Sequence, residues 1–245
     1  MTDVIYTPAG RAKEYAPLAS NIRKTCSLAC RYCYCPQALH VKNKDFFTVG
    51  PPKDDYLTRL KADCQKLRGD KRELLLCFIG DPYDGDTSIT REALFILAAY
   101  DMRVTILTKN PGMALRDFRL IAENGWSLGT TLAWHDDTLR RQWEPNAASV
   151  TSRIGALIAA KQHGIRTWAS VEPVLDTDEA IGAIIAMKDL GVDHFKVGKL
   201  NARSPELSVI EKSIDWGLFL ERVEKELAGR DYYIKRDLEE HRKRE

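Results

Sequence analysis

The sequence predicts an α/β protein built on a parallel sheet, and three observations carry that prediction. Beyond residue 50, short β-branched or aliphatic runs alternate with longer amphipathic stretches, the pattern of βα units. One run, ELLLCFI at residues 73–79, is almost continuously apolar, as a strand buried on both faces must be. Turn formers and polar residues gather where the runs end: Gly80-Asp81-Pro82, Thr108-Lys109-Asn110, Ala133-Trp134-His135, Glu172-Pro173 and Lys199-Leu200-Asn201. In parallel α/β proteins the C-terminal ends of the strands carry the active site.

Taken in order, Leu18 to Ile22 reads as the first strand, residues 56–67 as a helix and 73–79 as the second strand. Helix 89–100 then precedes strand 103–107, helix 113–123 precedes strand 126–132, helix 149–163 precedes strand 166–171, and helix 178–190 precedes strand 194–198. Gly125, Gly164 and Gly191 fall just past helical stretches, where a left-handed residue closes a helix. The remainder reads as a helix near 207–227, a short strand at Tyr232 to Ile234 and a mixed-charge tail. Lys235 and Arg236 lie beside acids at 237, 239, 240 and 245, a pattern that favours a solvated helix over a closure of the sheet's mouth. Without a Pro/Gly/Ser-rich linker, the expectation is one domain over 1–245, with a core at about 15–200 and a C-terminal helical extension at 201–245.

With 44% hydrophobic and 29% charged residues, the chain has the composition of a globular protein and not of a disordered one. No apolar segment resembles a signal peptide or a membrane span, so a cytoplasmic protein with no membrane partner is expected. In a reducing cytosol, clustered cysteines are metal ligands or catalytic groups more often than disulfides. The net charge is only +2, but residues 4–44 hold Arg11, Lys13, Arg23, Lys24, Arg31, Lys42 and Lys44 against Glu14 alone. Such a basic region suits nucleic acid, an anionic cofactor or plain solvation.

The stretch CSLACRYCYC places four of the six cysteines within residues 26–35. Cys26, Cys30 and Cys33 have the spacing C-x3-C-x2-C, and thiolates are the usual ligands of iron–sulfur clusters. A four-iron cluster held by three cysteines leaves one iron open to a substrate or cofactor. A zinc site made from the four local cysteines is the competing reading, since Cys64 and Cys77 lack paired spacing and the histidines at 40, 135, 163, 194 and 241 are scattered. Cys35 as a fourth ligand would close the cluster. An extended Cys-Tyr-Cys would put Cys33 and Cys35 on opposite sides, so Cys35 is read as a non-ligand.

Cys26, Cys30, Tyr32 and Cys33 together resemble the C-x3-C-x-aromatic-C motif of the radical S-adenosylmethionine (SAM) superfamily. The strings YAPLASNIRKTCSLACRYCYCPQALH, ELLLCFIGDPYDGD, RVTILTKNP, QWEPNAAS and TWASVEPVLD resemble its spore photoproduct lyase-like subgroup, whose members are often labelled DNA repair photolyases, over about residues 5–200. The resemblance implies a partial (β/α)6 TIM-like barrel with a [4Fe-4S] cluster on the loop after the first strand. Cys26, Cys30 and Cys33 would be its ligands, SAM the cofactor at the open iron, and a flavodoxin or ferredoxin the external electron donor. It implies reductive cleavage of SAM to a 5′-deoxyadenosyl radical that takes a hydrogen from the substrate.

By position in that motif set, Tyr32 would lie against the adenine, and Gly80 and Asp81 would stand where family members meet the SAM ammonium. Thr108, Lys109, Thr130 and Arg153 would contact ribose or carboxylate, as would Thr131, while Glu172 would line the cavity. The subgroup's hydrogen-donor cysteine in strand two points to Cys77, offset by one residue when the following aspartate is aligned on Asp81. On a regular strand such an offset turns the side chain to the other face. The implied substrate is a nucleic acid or nucleotide, as in photoproduct-lyase-like repair. A peptide, protein or small metabolite is the alternative within the enzyme class, and a zinc-binding interaction module the alternative outside it.

Overall fold

A computed structural model describes residues 3–242. Its single eight-stranded sheet runs in sequence order from β1 to β8. The first strand, β1 (Ile5–Tyr6), pairs antiparallel with β2 (Leu18–Ser20), and a 3-10 turn, Gly10–Glu14, lies between them. Three helices follow: α1 (Cys35–Ala38), α2 (Asn43–Phe46) and α3 (Tyr56–Lys66). From β2 onward every pairing is parallel, through β3 (Glu73–Leu76), α4 (Ser88–Ala99), β4 (Arg103–Thr108), a 3-10 segment Pro111–Asp117, α5 (Phe118–Glu123) and β5 (Ser127–Thr131). The chain continues with α6 (Asp137–Trp143), α7 (Val150–Gln162), β6 (Arg166–Val171), α8 (Thr177–Asp189) and β7 (His194–Val197). It then adds α9 (Pro205–Ser213), α10 (Trp216–Leu227), β8 (Asp231–Ile234) and α11 (Arg236–Glu239).

The parallel βα pattern and most element bounds agree with the sequence reading, and the differences have local causes. The second strand ends at Leu76 because the Asn21 side-chain oxygen accepts from the Phe78 and Ile79 amides at 2.8 and 2.9 Å, drawing the chain out of the sheet. Residues 207–227 form two helices, since the Asp215 carboxylate accepts from the Leu218 amide at 2.9 Å and starts a second one. The expected short strand near 232 pairs in parallel with β7, so the C-terminal extension is not only helical and contributes a seventh parallel strand. The acid at Glu245 lies outside the described residues.

Alternation fixes the two faces of the sheet. Ser127, Gly129 and Thr131 face inward on β5, and Arg166, Trp168 and Ser170 do so on β6. A Cβ on Gly129 would lie 2.2 Å from the Trp168 ring, so a bare backbone there lets the indole cross the barrel interior. The inner core is small, Ala16, Ala19, Leu75 and Trp168, whereas the larger apolar core lies between sheet and helices.

The N-terminal 3-10 turn packs across the open side of the sheet. Lys196 Nζ donates to the Tyr15 carbonyl at 2.6 Å, and the Tyr233 hydroxyl and Arg236 amide both donate to Glu14 Oε2, at 3.1 and 2.8 Å. No described helix is long and apolar enough to cross a membrane.

Candidate active site

At the C-terminal ends of the parallel strands opens a cavity of about 660 Å³. The cysteine segment forms one wall through Cys26, Cys30, Tyr32, Cys33 and Cys35. Strand ends supply Cys77, Gly80, Asp81, Thr108, Lys109, Thr131 and Glu172, and the chain termini supply Arg11, Tyr15 and Lys235. Residues distant in sequence are thus joined because each follows or flanks a parallel strand.

Several contacts pin the cysteine loop. The Cys26 amide donates to the Phe46 carbonyl at 3.0 Å, and the Cys33 amide to the Cys30 carbonyl at 3.0 Å. Asp84 accepts from the Ser27 amide at 2.6 Å and also from its hydroxyl. On the far side, Arg31 donates its amide to the Trp143 carbonyl at 2.9 Å, and Asn146 Nδ2 donates to the Ser27 carbonyl at 2.7 Å.

None of the six cysteines is disulfide-bonded. Burial pushes the Cys30 thiol up to about 12 and raises Cys26 as well. Cys33 is raised first by its hydrogen bond with Cys35 and then by burial. Among the described residues no three His, Cys, Asp or Glu side chains converge on one ion position. A cluster places each thiolate on its own iron, so three soft sulfur donors around one cavity fit it without such convergence.

Cys33 and Cys35 approach each other, contrary to the expectation from an extended Cys-Tyr-Cys. Tyr34 is in the right-handed helical region, at φ −84° and ψ −15°, and Cys35 opens α1. The Cys35 thiol is buried and faces the Phe78 carbonyl at 3.8 Å. The face argument for Cys77 fails similarly, because β3 has already ended: Cys77 and Phe78 both border the cavity. Burial raises the Cys77 thiol well above its ordinary range, so it stays protonated.

The loop after β3 is held tightly. Gly80 has φ +76°, and a Cβ there would lie 2.8 Å from the Thr25 carbonyl oxygen, so glycine is required twice over. Asp81 Oδ1 accepts from the Thr108 hydroxyl at 2.6 Å and the Tyr83 amide at 2.9 Å, while Oδ2 accepts from the Lys109 amide at 2.7 Å. Burial raises its carboxyl above the usual range, against the pull of these donors. Lys109 Nζ sits 5.7 Å from the Tyr32 ring centroid.

The sequence-selected Thr130 and Arg153 lie behind the cavity wall. Thr130 pairs in register with Thr108 and donates to its carbonyl at 2.8 Å, leaving Thr131 on the lining. The guanidinium of the fully buried Arg153 donates to the Thr131 carbonyl at 2.8 Å, the Ala148 carbonyl at 2.9 Å and Glu144 Oε2. Glu172 does line the cavity, with Oε1 accepting from Arg11 at 2.7 Å and Oε2 from Tyr15 at 2.9 Å and Lys235 at 2.6 Å.

Arg11 and Tyr15 carry no sequence signal as site residues, Glu144 falls in the polar, aromatic stretch Gln142-Trp143-Glu144-Pro145 that in sequence suggests a cover over substrate, and Lys235, expected on a solvated helix, is instead buried on the cavity lining. A glutamate before a proline in a polar loop, and a lysine in a charged tail, gave no local sign of burial. Glu144 is 1% exposed, accepts from the Tyr32 hydroxyl and pairs with Arg153.

No family model and no curated protein matches the chain. Solved structures do. A point mutant of spore photoproduct lyase superposes with a TM-score of 0.69 at 16% identity, covering 93% of this chain and 78% of that one. Another mutant of that lyase, with bound AdoMet and dinucleoside spore photoproduct, gives 0.67 at 15% identity over 94% and 79%. SuiB of Streptococcus suis bound to its precursor peptide SuiA gives 0.66 at 12% identity over 88% and 48%, so the chain spans about half the length of SuiB. This chain shares the fold of spore photoproduct lyase and SuiB. The parallel strands end on one cavity that takes in the cysteine loop, as expected from the resemblance.

Proposed function

We propose that the chain is a radical SAM enzyme in which Cys26, Cys30 and Cys33 hold a [4Fe-4S] cluster and the remaining iron takes SAM. The observation that carries this reading is the opening of all three thiols onto the cavity that also receives Asp81, Thr108 and Lys109 from the strand ends. When bound, the cluster supplies the electron for reductive SAM cleavage to a 5′-deoxyadenosyl radical. Asp81 sets the Thr108 hydroxyl and the Lys109 backbone, and its carboxylate offers a partner to a cationic amine. Lys109 presents its ammonium to a carboxylate. Tyr32 and Gly80 shape the wall for the nucleoside and the amino acid end. Thr130 and Arg153 act through the backbone they bind, and Glu172 faces the substrate end of the cavity.

Nucleic acid or nucleotide is the substrate we favour, supported by the fold shared with a lyase bound to a dinucleoside photoproduct and by the basic region around the cysteine loop. Cys77 would then return hydrogen to a substrate radical, a role supported by its protonated thiol and its position on the lining. The fold shared with SuiB bound to its precursor peptide supports peptide modification as the second reading. A cytoplasmic setting with an external electron donor such as flavodoxin or ferredoxin completes the proposal.

Anaerobic reconstitution with iron and sulfide, followed by dithionite and SAM, tests the chemistry. A brown, oxygen-sensitive cluster and release of 5′-deoxyadenosine are expected, whereas a colourless zinc protein that leaves SAM intact would return the interaction-module reading. Retention on DNA that falls with salt, followed by turnover of photodamaged DNA, tests the substrate. Salt-insensitive non-binding without lesion turnover would shift the reading to peptides or metabolites.

A further inference from the structure

We propose that Glu144, which does not line the cavity, is the positioning residue that holds the Tyr32 ring in the pose that receives SAM. The inference rests on the radical SAM reading above.

Glu144 follows α6 and is buried behind Tyr32. Its Oε1 accepts from the Tyr32 hydroxyl and its Oε2 from Arg153 Nη2. Arg153 is itself fixed, donating to the end of β5 at Thr131 and to the Ala148 carbonyl. A rigid line therefore runs from the barrel through Arg153 and Glu144 to a ring on the cavity wall. Burial pushes the Glu144 carboxyl up, but the charges of Arg153 and Lys109 and the hydrogen bonds from Tyr32 and Arg153 together hold it below its ordinary value. The group is thus an anion that can only accept, and Tyr32 must donate to it.

An aromatic ring that merely filled space would need no buried carboxylate behind it. Removing an ion pair in favour of apolar packing is often neutral or stabilising, so the pair's use here is to select one arrangement. The same segment also grips the cysteine loop through the Trp143 carbonyl and the Asn146 side chain. Tyr32 lies between Cys30 and Cys33, so the tether sets the aim of the ring within the loop, while the contacts to Phe46, Asp84, Trp143 and Asn146 keep the thiols in place without it.

Tyr32→Phe keeps the ring and removes only the tether. Its cluster content should match the wild type and its melting temperature should fall, because the buried Glu144 carboxylate loses a donor, while its SAM dissociation constant rises about tenfold, because an untethered ring must be ordered on binding. The SAM-induced change in the electron paramagnetic resonance spectrum of the reduced cluster should be weakened. Glu144→Gln should raise the dissociation constant similarly, and the double variant should be no weaker than Glu144→Gln alone. Wild-type SAM affinity and an unchanged spectral response in Tyr32→Phe, or multiplying effects in the double variant, overturn the proposal. Tyr32→Phe leaves the Glu144–Arg153 pair intact and decides the point alone if Glu144→Gln does not fold. A wild-type chain that forms no cluster, or forms one and ignores SAM, sinks the underlying reading and this proposal together.

Discussion

Lys235, buried at the end of β8, donates its ammonium to Glu172 Oε2 at 2.6 Å, and the ammonium lies 4.4 Å from the Tyr15 ring centroid. One contact thus joins the C-terminal strand, the end of β6 and the N-terminal segment. Lys235→Met should lower unfolding free energy by about 2 kcal/mol, as one partner of a partly buried charged hydrogen bond is lost while Arg11 and Tyr15 still serve Glu172. Urea denaturation of the metal-free chain measures it. Wild-type stability would show that the termini do not brace the cavity.

Replacing the cysteines one at a time separates ligands from neighbours. Cys26→Ala, Cys30→Ala and Cys33→Ala should each fail to hold the cluster, and Cys35→Ala should keep about four irons per chain. The contact between Cys33 and Cys35 makes this a demanding comparison. Cluster loss in Cys35→Ala would make Cys35 a fourth ligand.

Asp81→Asn turns an acceptor into a donor among three donors, the Thr108 hydroxyl and the Tyr83 and Lys109 amides. One of them is left facing an NH₂ group, at about 1 to 3 kcal/mol of stability. Chemical denaturation should show that loss, and 5′-deoxyadenosine release should fall with it. Unchanged stability and SAM cleavage would remove Asp81 from both roles.

Asp137 supplies a pH test away from the thiols. Its carboxylate is held at about 2 instead of 3.8, first by the hydrogen bond from Arg140, against some burial, and it also accepts from the Val150 amide at 3.0 Å. A folded-state value below the unfolded one stabilises the protein above the unfolded value and ceases to do so as pH falls through the folded one. The melting-temperature difference between wild type and Asp137→Asn should therefore be constant above pH 3.8 and close as pH approaches about 2. A difference independent of pH across that window would show that the charge is not the source.

Periodicity and local chemistry determined a good part of this molecule. Apolar runs, glycine stops and the polar residues that follow each strand are encoded within about ten residues of chain, so the parallel βα pattern and the strand-end positions of Asp81, Thr108, Lys109 and Glu172 could be read directly. The C-x3-C-x2-C spacing set the candidate ligands for the same reason.

Tertiary structure alone decided what depends on long-range contact. Glu144 and Lys235 look like solvated charges in sequence, and only the Arg153 and Glu172 side chains that reach them explain their burial. Thr130 and Thr131 are indistinguishable until strand parity puts Thr131 on the lining. Cys35 could be judged only once the turn at Tyr34 was known, because two residues of helix bring side chains together where two residues of strand would separate them. Local pattern fixes which elements form, whereas the partner that neutralises a buried charge comes from whatever the fold brings beside it.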